Sequence, residues 1–371
     1  RYKENGKCRG LIVAGCLAQR YESEIFSELP EVDAVLGTTA YERVAEAAER
    51  ILNGEKNIKM LEDVNAPMDE ANAPKRILST PGHYAYLKIS EGCDNHCTYC
   101  VIPKMRGRHR SRTMESLVEE TRKLAEDGVK ELLVVAQDTS IYGRDIYGEP
   151  KLHELLKRLC GVEGIEWIRL LYCYPETLTD ETIRVMAEQD KICKYIDMPI
   201  QHGSNTVLKR MGRRTSSALI EERIGALRAA MPDICLRTTV ITGFPGETEE
   251  EFEDTLRLIE RVRYDALFTF IFSPRGGTPA ASMPDPTPKE EKNRRFDRLV
   301  ALQNRISEEK HRAYIGRTFR VLIDGRDGDL LTARTDGGRL VRLSGGDGLI
   351  GQFRDVRITG STTWSLTGEL A

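Results

Sequence analysis

Ala85-Tyr86-Leu87-Lys88-Ile89-Ser90-Glu91-Gly92-Cys93-Asp94-Asn95-His96-Cys97-Thr98-Tyr99-Cys100 is the stretch from which the fold can be read. Its first six residues alternate apolar and polar side chains and favour a strand; the rest is a loop with three thiols inside eight residues. Thiolates at this spacing can converge on one metal centre. A structural zinc ion wants a fourth protein ligand, for which His96 or His109 is at hand. An iron–sulfur cube held by three cysteines keeps one iron open to a substrate or cofactor. Spacing favours a metal over buried free thiols, and leaves both metals standing.

Downstream of this strand, apolar runs alternate with helical periodicity. Strands are expected over 85–90, 131–136, 167–172, 195–200, 235–241 and 266–272, with helices over 114–126, 152–159, 180–188, 216–231 and 248–262. Six strands alternating with helices predict a parallel α/β sheet, open or curled into a partial barrel, with ligands at the carboxyl ends of its strands. Upstream, a strand over 10–15, a helix over 19–29, a strand over 34–37 and a helix over 41–52 form an incomplete α/β unit. Residues 53–81 read as a linker. A charged helix is expected over 289–311, with Phe296, Leu299, Leu302 and Ile306 as its apolar stripe. Beyond it, short β-like runs over 318–323, 330–334, 340–343, 353–358 and 363–366, parted by Gly and Asp, predict a small antiparallel barrel. The domains are therefore 1–75, 76–311 and 312–371.

The 371 residues carry 55 Lys and Arg against 58 Asp and Glu, a net charge of −3 with 30% charged residues. That excludes a disordered tail and a globally basic nucleic-acid coat protein. No apolar run approaches the ~18 residues of a membrane span, and no leader is visible, so no membrane partner is expected. Nine cysteines, an odd number, argue against a secreted disulfide framework and for a cytoplasmic home. The chain opens on Arg1 in place of Met, which reads as a lost N-terminus.

Cys-x-x-x-Cys-x-aromatic-Cys after the first strand of such a unit resembles the radical S-adenosylmethionine (SAM) superfamily, whose fold is a (βα)6 partial TIM barrel. The resemblance implies a [4Fe–4S] cluster on Cys93, Cys97 and Cys100, SAM on its open iron, and a 5′-deoxyadenosyl radical as the hydrogen abstractor. It places Tyr99 near the adenine. Other SAM contacts are expected from Gln137 and Asp138 after the second strand, Gln201 after the fourth, and Arg237 and Gly243 on and after the fifth. No catalytic side chain is singled out.

Three features resemble, more narrowly, the methylthiotransferases of that superfamily. Gly15-Cys16-Leu17-Ala18-Gln19-Arg20 matches the last cysteine motif of their N-terminal domain. The segment from Lys104 to Arg112 matches the basic run after their cluster loop, and the C-terminal barrel is similar to their substrate-binding TRAM domain. The family implies a second [4Fe–4S] cluster, of whose ligands only Cys16 is recognisable. The other two would lie upstream of Arg1, so this chain is expected not to assemble that cluster while the complete gene product does. An electron donor such as flavodoxin or ferredoxin is implied as well.

Two branches of the family compete. Tyr86 to Cys93, Val135 to Gly143, Leu171 to Pro175 and Asp197 to His202 resemble the branch that modifies the β-carbon of an aspartate in a small-subunit ribosomal protein. Phe268 to Ala280 and the segment around Trp364 resemble the branch that modifies isopentenyladenosine in tRNA. The barrel rim surrounds the reacting carbon and carries more weight. Between Arg312 and Ala371 nine Arg face seven acidic residues. That excess is small for phosphate-driven RNA binding but enough to grip a carboxylate. The ribosomal protein is the expected substrate, tRNA the alternative, and a zinc-stabilised RNA-binding scaffold without chemistry a distant third.

The remaining candidates have plainer roles. Cys160, Cys173, Cys193 and Cys235 sit in apolar contexts and read as core; Cys8 reads as incidental. His83, His153 and His311 read as solvent-facing or capping. Lys104, Arg106, Arg108, Arg110 and Arg112 alternate, which on an extended strand would line one side with positive charge for the SAM carboxylate or a phosphate.

Overall fold

The computed structural model describes residues 2–66 and 77–371. They form two compact units. One holds the described residues up to 66 with Glu91–His96 and Cys100–Arg110; the other holds Ile77–Ser90, Cys97–Tyr99 and Ser111–Ala371. The expected boundary near residue 75 lies outside the described residues.

In the first unit, β1 (Ile12–Ala14), β2 (Ala34–Leu36) and β3 (Ile58–Met60) form a parallel sheet in that order. Ala34, Leu36, Ala47, Ile58 and Met60 are its core. β3 lies where a linker was expected. Its apolar residues alternate only twice, too few for a period to stand out, yet both point into that core.

In the second unit, β4 (Tyr84–Lys88), β7 (Glu131–Val135), β8 (Trp167–Leu170), β9 (Ile192–Asp197), β10 (Cys235–Thr242) and β11 (Ala266–Ile271) form a six-stranded sheet ordered β11-β10-β9-β8-β7-β4, parallel throughout. Two short strands, β5 (Ser90–Glu91) and β6 (Arg110–Ser111), flank the cysteine loop. Helices 114–126, 152–160, 180–188, 217–230 and 249–262 cover one face, burying Leu132, Ile168, Ile196, Leu236 and Val240 against Leu117, Leu155, Ile183, Ile224 and Ile259. Strand alternation turns Arg169, Tyr195, Arg237 and Phe268 to the inner face instead. Both sheet edges, β11 and β4, remain unjoined, which is the partial-barrel arrangement.

The fourth strand starts and ends three residues earlier than expected. Met198 and Ile200 extend the apolar run, but Pro199 has no N–H to give a ladder, and Gln201 turns into the left-handed region at φ 72°. The basic segment is not an extended strand either. Ile102–Arg106 is a helix with Pro103 in its first turn, so the five cations share no common side. Several are spent internally: Arg106 pairs with Glu91 at 2.9 Å, and Arg112 with Glu120.

β12 (Thr318–Asp327), β13 (Leu330–Thr335), β14 (Leu340–Leu343), β15 (Phe353–Ser361) and β16 (Leu366–Leu370) close into a barrel around Val321, Leu331, Val341, Val356 and Leu366. One pair, β14 with β16, is parallel. The last strand starts at Leu366, three residues later than expected, because residues 363–365 bend where the Thr362 hydroxyl accepts the N–H groups of Trp364 and Ser365. The β13–β14 turn reaches the base of the parallel sheet. There Arg169 donates to the carbonyls of Thr335 and Asp336 and pairs with buried Glu131 at 2.8 Å. His83 and His311, expected at the surface, are buried; His311 Nδ1 bonds the Thr362 carbonyl at 2.7 Å. Each lies on a face that the barrel covers, a tertiary effect without local signal. Cys160, Cys173, Cys193 and Cys235 are buried as expected. No helix among the described residues is long and apolar enough to cross a membrane.

Candidate active site

The cysteine loop leaves its strand at Gly92, whose φ of 78° suits glycine. A Cβ there would also strike the Arg108 carbonyl. Cys93 is buried, with its N–H on the Gly107 carbonyl, and its Sγ accepts the Asn95 N–H at 3.4 Å. Cys100 Sγ accepts the Ile102 N–H at 3.5 Å. Cys97 is buried in the second unit, where its neighbour Thr98 is fixed by its N–H and hydroxyl donating to the Met211 and Arg210 carbonyls and by its own carbonyl accepting from Ala280.

Among the described residues no three His, Cys, Asp or Glu side chains are gathered tightly enough to enclose a metal ion. The donor set nevertheless fits an iron–sulfur cluster: soft sulfurs on one loop, two already receiving backbone N–H bonds of the kind that tune cluster sulfurs. Of the two histidines that could complete a zinc site, His96 is exposed and His109 is buried.

Tyr99 packs in an apolar cluster with Val207, Met211, Ile241, Phe244 and Phe272, at the carboxyl ends of β10 and β11. Burial and the adjacent Cys97 thiol push its phenol pKa well up, against Arg213. Gln137 follows β7 with a buried Oε1 that has no partner, an acceptor suited to an ammonium group. Asp138 is buried, and its Oδ1 accepts the Ser140 hydroxyl at 2.7 Å. Gln201 bonds β10 through its main chain, N–H to Thr239 and carbonyl from Ile241. Tyr172, after β8, shares its left-handed backbone at φ 58°. Such conformations in non-glycine residues cluster at functional sites.

Gly243 turns at φ 66°, and its N–H donates to Glu247 Oε2 at 2.6 Å. Glu247 is sealed from solvent. Its Oε1 takes the His202 Nε2–H at 2.7 Å, and Arg295 from helix Lys289–Arg312 meets Oε2 at 3.1 Å. The Ser204 N–H donates to His202 Nδ1, which fixes the Nε2–H tautomer.

Arg237 lies deeper on the inner face. It pairs with Asp197 Oδ2 at 3.0 Å and stacks on Phe268 and Tyr195, 4.8 and 5.5 Å from the ring centroids.

Arg213 and Glu176, which carry no sequence signal, join the rim. Arg213 is buried with its guanidinium 4.2 Å from the Tyr174 ring and 3.4 Å from Glu176. Burial works against its charge, but Tyr99, Glu176 and Tyr174 outweigh that and raise its pKa. Tyr86, Tyr172, Phe268 and Phe270 leave large aromatic surfaces exposed. In the first unit, Cys16 starts helix Cys16–Arg20 within hydrogen-bond reach of Arg106.

The radical SAM superfamily model matches residues 87–259, and the TRAM domain model matches residues 312–371. A ribosomal protein uS12 methylthiotransferase RimO from Lachnoclostridium phytofermentans is 45% identical over 99% of this chain and 84% of its own length. Its counterpart from Clostridioides difficile is 44% identical with the same coverage. That from Pelotomaculum thermopropionicum is 45% identical over the whole chain and 84% of its own length. Among solved structures, the radical SAM methyltransferase TsrM of Kitasatospora setae, with cobalamin and a [4Fe–4S] cluster bound, superposes with a TM-score of 0.55. It covers 73% of this chain and 58% of its own, at 14% identity, which is a likeness of fold.

Proposed function

The chain belongs to the RimO family of radical SAM methylthiotransferases that act on a ribosomal protein, and we propose that its target is the β-carbon of an aspartate in uS12. Its cofactors are SAM and a [4Fe–4S] cluster, which when bound supply the 5′-deoxyadenosyl radical that takes hydrogen from an unactivated carbon. The zinc-scaffold alternative is set aside by the same family membership.

Cys93, Cys97 and Cys100 hold that cluster in this reading. Gln137 Oε1 accepts an N–H of the SAM ammonium group. Tyr99, Ile241 and Phe244 wall the adenine, and the Gln201 and Gly243 main chains shape its edge while Glu247 holds the Gly243 turn. Asp138 keeps the Gln137 turn in place through Ser140. Cys16 is one ligand of a second cluster, with Arg106 beside it to offset the charge that sulfur and iron bring. Flavodoxin or ferredoxin is the electron donor. Residues 1–75 are the second-cluster domain, 76–311 the catalytic domain and 312–371 the substrate-binding barrel.

The observation that carries this reading is identity of 44–45% across essentially the whole chain with relatives named for uS12. In the test, the reconstituted full-length gene product receives uS12 and isopentenylated tRNA in parallel, and both products are weighed. The expected result is uS12 with one hydrogen replaced by a methylthio group. Modification of the tRNA with uS12 untouched would overturn it.

A further inference from the structure

The inner face of the parallel sheet holds a charged pair, one member of which, Arg237, the superfamily resemblance assigns to SAM. Arg237 and Asp197 stand side by side on β10 and β9. Asp197 is 2% exposed, and its Oδ1 is buried without a partner. Arg237 has five N–H donors; one is spent on Asp197, and Nε has no partner. A quarter of its side chain is open. Aromatic surface surrounds it. Phe268 lies under the guanidinium and is 48% exposed, Tyr195 closes the other side, and the Tyr172 phenol is near enough to bear on its charge. The pair is also held from below. Tyr195 stacks on Arg169 at 5.0 Å, and Arg169 is locked by Glu131 and the β13–β14 turn.

Its depth separates it from the cofactor. Ile241, in the Tyr99 cluster, is four residues further along the same strand. At about 3.3 Å per residue, that puts the Arg237 Cα roughly 13 Å below the Cα of Ile241. A guanidinium with unspent donors, fixed over an aromatic floor, is built to grip a carboxylate.

We propose that Arg237 is the specificity residue of this enzyme and binds the side-chain carboxylate of the protein substrate, not SAM. The inference rests on the uS12 reading and deepens it.

The test compares uS12 with a variant in which Asn replaces the target Asp, using the reconstituted full chain, R237Q, R237K and the double variant R237Q/D197N. Sites built to bond a polar group discriminate steeply against analogues that lack it. The wild type should prefer Asp over Asn by at least ~100-fold in kcat/KM, and R237Q by less than ~10-fold, mainly through KM for uS12. R237K should fall between them. R237Q/D197N leaves no buried charge stranded, so its loss of discrimination reports recognition and not misfolding. Undiminished discrimination in R237Q and in the double variant would overturn the inference alone, as would a ten-fold loss of SAM affinity with discrimination intact. A wild type that modifies tRNA and ignores uS12 would remove the functional reading and the inference with it.

Discussion

Glu247→Ala removes one carboxylate and strands three buried donors: His202 Nε2–H, Gly243 N–H and the Arg295 guanidinium. Each stranded donor costs about 1–3 kcal/mol. Breaking a buried pair costs about 3–5 kcal/mol, and Arg295 keeps Glu249 and Glu291 as partners, which caps its share. The sum should be about 4–5 kcal/mol, which for a large domain lowers the thermal midpoint by roughly 8–20 °C. Glu247→Gln keeps the shape but sets its amide against one of the donors, for about 2–3 kcal/mol. The Gly243 amide should exchange with solvent much faster in both variants. KM for SAM should rise, because Gly243 carries the turn beside the Tyr99 cluster. In the double variant E247Q/R295M both charges are gone, so the two losses should fail to add by at least ~1 kcal/mol. An Ala variant within about 1 kcal/mol of wild type, or strictly additive effects in the cycle, would refute the network.

Replacing Cys93, Cys97 or Cys100 by Ala should remove about four irons per chain and all SAM cleavage, while Cys193→Ala keeps the iron and loses about 1–3 kcal/mol of packing, as iron analysis and denaturation would check. Gly92→Ala drives a Cβ into the Arg108 carbonyl at a left-handed backbone and should impair cluster incorporation, whereas Gly128→Ala, also left-handed but with open space around it, should cost only about 1 kcal/mol. Burial depresses the pKa of His83 and His311, so both stay neutral when folded while the unfolded chain protonates near pH 6.5. Their contribution is therefore complete above about pH 6.5 and lost as pH falls through the folded values; melting at about pH 7.5 and 5.5 should show a smaller acid loss in H83Q/H311Q than in wild type.

The parallel sheet was legible because strands such as β7 are buried on both faces and write continuous runs such as Leu132 to Val135. The cysteine loop was legible because its chemistry is local: three thiols in eight residues need no tertiary information. What escaped depends on distance in sequence. Pro199 ends a strand inside an apolar run, and Thr362 bends a β-like segment through its hydroxyl. Arg213 becomes a site residue only when Tyr99, Tyr174 and Glu176 arrive around it. The deep position of Arg237 follows from counting residues along a strand whose end had first to be located. The basic segment misled because alternation was read as extension, whereas Pro103 starts a helix.

A protein that gathers iron and sulfide while carrying nine thiols faces a sorting problem: every stray thiolate competes for the metal. Burial answers it for four of them. It pushes Cys160 and Cys235 up to about 11, Cys193 to about 12 and Cys173 well above the usual thiol value. At neutral pH a thiol near 11 is ionised in only ~1 molecule in 10,000, and the thiolate is the form that binds metal. Folding before metal loading therefore acts as proofreading. A chain exposed to iron while these strands are still open would offer soft ligands at the wrong addresses, a competition that burial of these four thiols removes.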